Sequence, residues 1–121
     1  IDNWGAGGLL AHVNPNGKID NIARDIQLNE YKQNGDCIFA DCSIPQMPEI
    51  LELIEKAHRE NFAICKFIGW DIAINEEGEP VIIELNSSQP GVIGEQLVAG
   101  PIFGDRTQEV IDYCKKKKFR Y

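Results

Sequence analysis

The stretch that most restricts how this chain folds is residues 69–86, Gly-Trp-Asp-Ile-Ala-Ile-Asn-Glu-Glu-Gly-Glu-Pro-Val-Ile-Ile-Glu-Leu-Asn. Apolar runs on both sides of Glu77-Gly78 predict two antiparallel strands joined by a tight turn. With Glu77 and Gly78 as the loop, Trp70 faces Leu85, Ile72 faces Ile83 and Ile74 faces Val81, so the large apolar residues share one side. That side is the predicted core face. The other side sets Asp71 opposite Glu84, Gly69 opposite Asn86 and Ala73 opposite Ile82. A three-residue loop with a bulge is the competing arrangement, and it would break this register and separate the acids.

Two carboxylates and a carboxamide thus converge in the first arrangement. Opposed like charges with Cβ atoms about 5 Å apart destabilise a strand pair unless something neutralises them. A hard divalent cation does so, because Mg²⁺ takes oxygen ligands and is held by one or two carboxylates together with substrate phosphates. Alternatively the hairpin is a solvated edge whose acids point into water.

The remaining chain reads as strands, then a helix, then the hairpin, then further helices. It opens with Asp2-Asn3-Trp4-Gly5-Ala6-Gly7-Gly8, a loop feeding an apolar run, Leu9 to Val13. No Gly-Lys-Ser/Thr follows, so this is not a Walker loop. Asn14-Pro-Asn-Gly17 is a strong turn signal, and Lys18 to Ile26 returns as a strand, giving a meander from Leu9 to about Leu28. His12 sits among apolar neighbours and is assigned a packing role. Asn29 to Asp41 reads as a loop or short hairpin around Gly35-Asp36. Pro48, Glu49 and Glu52 then open a helix whose stripe of Met47, Ile50, Leu51, Ile54 and Ala57 faces the core and which stops at Asn61. Val92 to Ala99 predicts a short helix beyond the hairpin, whose start offers free backbone N–H groups to a carboxylate or phosphate. Asp105 and Gln108 resemble a capping box for a last helix with Val110, Ile111 and Cys114 on its apolar side, and Lys115 to Lys118 suit its carboxyl end.

This order lacks regular β-α-β alternation and implies an α+β fold, an antiparallel sheet covered by helices on one face. The 121 residues suit a single domain. A formal net charge of −7 argues against general nucleic-acid binding, and no apolar run approaches a membrane span. Cys37, Cys42, Cys65 and Cys114 lack the Cys-x-x-Cys spacing of a zinc site and read as reduced, partly buried thiols of a cytosolic protein.

Asp71, Glu84 thirteen residues on, Asn86 two further and the following Ser87-Ser88-Gln89-Pro90-Gly91 resemble the metal-binding end of the ATP-grasp family. The Gly-Trp-Asp-Ile-Ala-Ile wording is similar to its sugar-transfer-associated and glutamate-ligase-related branches. The resemblance covers most of the chain and implies the carboxyl-terminal lobe of a larger ligase, acting in polysaccharide or cell-surface biosynthesis. It implies ATP and a carboxylate substrate as partners of the parent. Asp71, Glu84 and Asn86 would be ligands for Mg²⁺, or Mn²⁺, and Ala73 and Ile82 an apolar floor beside them. Asn3, Gly7 and Gly8 match an Asn and Gly-Gly loop near nucleotide and substrate, and Ser87, Ser88 and Gly91 match a loop that holds the acceptor.

One departure stands out. D-alanine ligase-type relatives carry an arginine two residues before the aspartate, where this chain has Gly69. The cation that steadies the acyl phosphate is then sought in Arg24 or Lys66. The family's other lobe, which supplies lysines to the phosphates, is not found here, so the chain by itself is expected to be inactive. The alternative is a non-catalytic binding or assembly module on the same fold.

Overall fold

A computed structural model describes residues 4–88 and 90–116. Three short antiparallel sheets and three helices make up the α+β fold. The first sheet is a meander of β1 (Leu10–Val13), β2 (Ile19–Arg24) and β3 (Glu30–Tyr31). A small hairpin follows, β4 (Gln33–Asn34) with β5 (Cys37–Ile38), turning at Gly35-Asp36 as the sequence predicts. Helix α1 (Met47–Asn61) leads to the hairpin of β6 (Gly69–Ile74) and β7 (Pro80–Asn86). Helices α2 (Ile93–Ala99) and α3 (Thr107–Lys116) complete the described chain.

One turn geometry recurs three times, and it explains the local architecture. At Asn14–Lys18 the Asn14 N–H donates to the Lys18 carbonyl and the Gly17 N–H donates back to the Asn14 carbonyl. Asn75–Glu79 repeats both bonds, with Gly17 and Gly78 each at φ 84°. This is a three-residue hairpin loop whose third residue must be left-handed, where glycine meets no Cβ penalty. The third copy, Asp25–Asn29, places Leu28 in that position at φ 66°.

Asp25 holds this less favourable turn together. Its Oδ1 accepts from the Gln27 and Asn29 N–H groups, and its Oδ2 accepts from Asn29 Nδ2 and the Tyr31 hydroxyl, all at 2.8–2.9 Å. Asp25 is only 8% exposed, and with Ala23 and Ile68 it is among the few buried residues. The side-chain bond from Asn29, helped by Tyr31 and two backbone N–H groups, outweighs burial and holds the Asp25 carboxyl below its usual range. Donation to that carboxylate raises the Tyr31 hydroxyl.

Helix α1 carries the predicted stripe half-buried, while Glu49, Glu52, Lys56 and Glu60 face solvent. Its far end is tied to the central hairpin. His58 Nε2–H donates to the Cys65 carbonyl at 2.8 Å, and the Phe62 ring meets Trp70 edge-on at 5.7 Å. The segment before α1 is anchored under the first turn, where Ile44 N–H donates to the Gly17 carbonyl and Lys18 bridges Ser43. The final helix begins later than the capping-box pattern at Asp105 predicts. Gly104–Arg106 forms a 3₁₀ turn, and Thr107 Oγ1 donates to the Gly104 carbonyl at its entry. Lys117 and Lys118 of the basic tail lie outside the described residues.

The fold leaves much apolar surface open. Its accessible area is 9416 Å², against about 6,600 Å² for a compact monomer of 13.6 kDa. Among the described residues no helix is long and apolar enough to cross a membrane.

Candidate functional site

The hairpin keeps the acids together by a route different from the expected one. The loop contains three residues, Glu76 to Gly78, rather than two, which moves every pair near the turn by one place. Ile74 therefore faces Pro80, Ala73 faces Val81 and Ile72 faces Ile82. A bulge between this part and the next then absorbs the shift, leaving Ile83 without a cross-strand partner and 66% exposed. Beyond the bulge, Asp71 faces Glu84, Trp70 faces Leu85 and Gly69 faces Asn86, as the two-residue loop predicts. The three-residue loop is thus present without separating the acids, because loop and bulge cancel.

One correction follows for the apolar floor. Ile82 pairs with Ile72, on the side of Trp70, and Val81 takes the place opposite Ala73. The apolar neighbours of the acids are therefore Ala73 and Val81 rather than Ala73 and Ile82.

Asp71 and Glu84 are both exposed, and no hydrogen bond or ion pair engages either carboxylate among the described residues. Asn86 is half-buried at the end of β7. The chain then bends through Ser87 and Ser88, both exposed, and doubles back over the hairpin. A Cβ on Gly69 would lie 3.4 Å from Pro90 Cβ and 3.7 Å from Asn86 Cβ. Pro90 therefore closes over the Gly69–Asn86 pair. This contact carries the loop to the end of the strand pair that bears the acids.

The Gly-rich opening reaches the same loop from the other end of the chain. Trp4 starts a 3₁₀ turn to Ala6, and its indole N–H donates to the Arg24 carbonyl at 3.0 Å. Gly7 follows at φ 95°, exposed, and Gly8 is buried. Trp4 and Leu10 then form a groove of about 510 Å³ with Pro90, Gly91, Val92 and Ile93, ending at Glu95. Gly94 permits this approach, since a Cβ there would come 2.9 Å from Leu10 Cδ2 and 3.5 Å from the Trp4 ring. Asn3 lies outside the described residues.

The two cations proposed from sequence are placed elsewhere. Arg24 Nη2 lies 2.6 Å from Glu30 Oε1, its partner on β3, so its charge is already balanced across the sheet. Lys66 lines a second groove, of about 570 Å³, with His58, Arg59, Phe67 and Trp70. Trp70 and Asp71 are adjacent in a strand and point to opposite faces, so Lys66 and the acids border different sides of the hairpin.

The chemistry of the donors fits a hard cation. Two carboxylates and a carboxamide oxygen, on two strand pairs with the Trp70–Leu85 pair between them, are oxygen donors of the kind Mg²⁺ takes, with water and phosphate completing its shell. Among the described residues no three His, Cys, Asp or Glu side chains gather to hold a metal unaided. The four cysteines are free thiols, and a hydrogen bond to Cys37, followed by burial, raises the Cys42 thiol above its usual range. Trp4, Glu95 and the Asp25 clamp were not singled out by sequence. The recurring Asn/Asp spacing ahead of a left-handed residue is the signal that reveals the clamp.

An α+β lobe that presents opposed acids beside a Gly-rich entry and a Pro-Gly loop is the architecture of an ATP-grasp chain. Residues 1–112 match the family model described as sugar-transfer associated ATP-grasp, and the chain belongs to that family. Membership places it among ATP-dependent, ligase-type proteins. Neither the curated proteins nor the solved structures gave a match.

Proposed function

We propose that this chain is the metal- and acceptor-binding lobe of an ATP-dependent carboxylate–amine or carboxylate–thiol ligase. The observation that carries the reading is the unneutralised Asp71–Glu84 pair, kept in register by a compensating bulge. A strand pair gains nothing in stability from opposed carboxylates, and binding a cation gives them a use. Asp71, Glu84 and Asn86 would hold Mg²⁺, which when bound supplies charge neutralisation to the phosphates. Ala73 and Val81 flank them on the same face, and the loop from Ser87 to Gly91 borders the acceptor.

In the reaction this implies, an oxygen of the substrate carboxylate bonds to the γ-phosphorus of ATP. The bond from that phosphorus to the bridging oxygen breaks, releasing ADP. The nucleophile then attacks the acyl carbon, a C–N or C–S bond forms, phosphate leaves with the C–O electron pair, and the nucleophile's proton passes to solvent. The roughly 2,800 Å² of accessible surface beyond that of a compact monomer supports a second lobe packing here and completing the cleft. Such a lobe would supply the phosphate-binding cations, and without it turnover is not expected. A cytoplasmic setting and a role in polysaccharide or cell-surface biosynthesis complete the proposal.

Titration of the chain with Mn²⁺ by NMR, with and without ATP, tests it. Broadening centred on residues 71, 84 and 86 that disappears in Asp71→Asn with Glu84→Gln is expected. Diffuse broadening over the acidic surface would refute a preformed site and favour a binding or assembly module.

A further inference from the structure

The groove beside the hairpin differs in chemistry from the acid pair. It is lined by the Trp4 ring, Leu10, Pro90, Val92 and Ile93, with Gly91 and Gly94 among them. Among the described residues Glu95 is its one charged lining residue, exposed in the first turn of α2 and unpaired. No cation lines it. Arg24, although the cross-strand partner of Leu10, turns its guanidinium to Glu30.

Two features of the groove favour positive charge independently. The Glu95 carboxylate attracts it directly. The indole of Trp4 spends its N–H on the Arg24 carbonyl and offers the groove a ring, whose face attracts cations. The apolar walls favour a hydrocarbon body. A carboxylate or phosphate would meet the Glu95 charge and apolar walls there, set against only the uncapped N–H groups at the start of the short α2.

Resting on the ligase reading, we propose that this groove receives the nucleophilic substrate, and that this substrate is an amphiphilic amine with an apolar body and a cationic group near Glu95. Of the two substrates a carboxylate–amine ligase brings together, the groove suits the amine better than the carboxylate. Pro90 joins it to the acid end of the hairpin, since the same residue walls the groove and covers Gly69 and Asn86. Gly94 is the position that sets its width, because α2 lies against Leu10 and Trp4 through the missing side chain.

The test compares hexylamine, hexanol and hexanoate by amide and indole NMR of the 121-residue chain, in the absence of metal and nucleotide. Hexylamine should shift the Trp4 indole N–H and the amides of Gly91, Gly94 and Glu95, and should bind at least fivefold more tightly than hexanol. Hexanoate should leave them in place. Glu95→Gln, an exposed substitution in α2, should bring hexylamine down to the affinity of hexanol without altering hexanol. Hexanoate binding as well as hexylamine, or hexylamine shifts indifferent to Glu95→Gln, would overturn the proposal, as would shifts confined to the Trp70 groove. Because this readout uses neither Mn²⁺ nor ATP, its failure is separate from failure of the metal site, which the Mn²⁺ titration reports.

Discussion

Gly17 and Gly78 occupy the same position of the same turn at the same φ of 84°, so they form a matched pair for measuring what tertiary contact adds to a turn. Alanine at either position meets the left-handed penalty of about 1–2 kcal/mol, partly offset by about 0.4–1 kcal/mol from a stiffer unfolded chain. The conformational part should therefore cost about 1 kcal/mol at both sites. Their surroundings differ. At Gly78 the nearest atom to a new Cβ is Gln46 Nε2 at 3.8 Å, an ordinary contact with a mobile side chain. At Gly17 the Cβ would overlap the Ile44 backbone carbonyl and lie 3.2 Å from Met47 Cβ. Relief requires moving the segment that leads into α1, and with it the 2.8 Å bond from Ile44 N–H to the Gly17 carbonyl. Loss of that bond with a partly unsatisfied carbonyl costs about 1–3 kcal/mol more. Urea unfolding should then show Gly78→Ala destabilised by about 1 kcal/mol and Gly17→Ala by about 2–4 kcal/mol. Equal losses at unchanged m-values would refute the claim that the first turn is a tertiary anchor.

Further expectations concern charge and packing. Asp25 has its pKa lowered by folding, so its contribution to stability is complete above the unfolded value of about 3.9 and is lost as pH falls through the lower folded value. Tyr31→Phe removes one donor and should move the acid-unfolding midpoint to higher pH, while Asp25→Asn should flatten stability between pH 2 and 5, both followed by circular dichroism. In metal-free buffer Asp71→Asn should stabilise the chain by a few tenths of a kcal/mol up to about 1 kcal/mol, an effect reduced by salt, while abolishing site-specific Mn²⁺ broadening. A loss of stability on that substitution would show that the pair is not a repulsive one. The edge-on contact of Phe62 with Trp70 should give a coupling energy of about 0.5–1.5 kcal/mol in a double-mutant cycle with Leu at each position, and a value near zero would deny that α1 is seated through these rings.

Local patterns in the chain carry far into the fold because they act over a few residues. The helical stripe from Met47 to Ala57, the turn signals at Asn14–Gly17 and Gly35-Asp36, and the hairpin around Gly78 all follow from periodicity and backbone preference. The spacing of Asp71, Glu84 and Asn86 likewise indicates the family without coordinates. Where sequence reasoning failed, two local choices interacted. A three-residue and a two-residue loop are both compatible with Asn-Glu-Glu-Gly-Glu, and only the bulge at Ile83 reconciles the longer loop with opposed acids.

Amino-acid sequence alone therefore determines that this chain is α+β, that it presents an Asp, a Glu and an Asn near the end of a hairpin, and that it belongs to the family. Tertiary structure decides which residues share a site, because that depends on contacts between distant segments. It draws Trp4 to Pro90 and Gly94, sets Lys66 on the other side of the hairpin, and commits Arg24 to Glu30. It also moves Ile82 off the acid face, since one inserted residue in a strand reverses the direction of the side chains that follow.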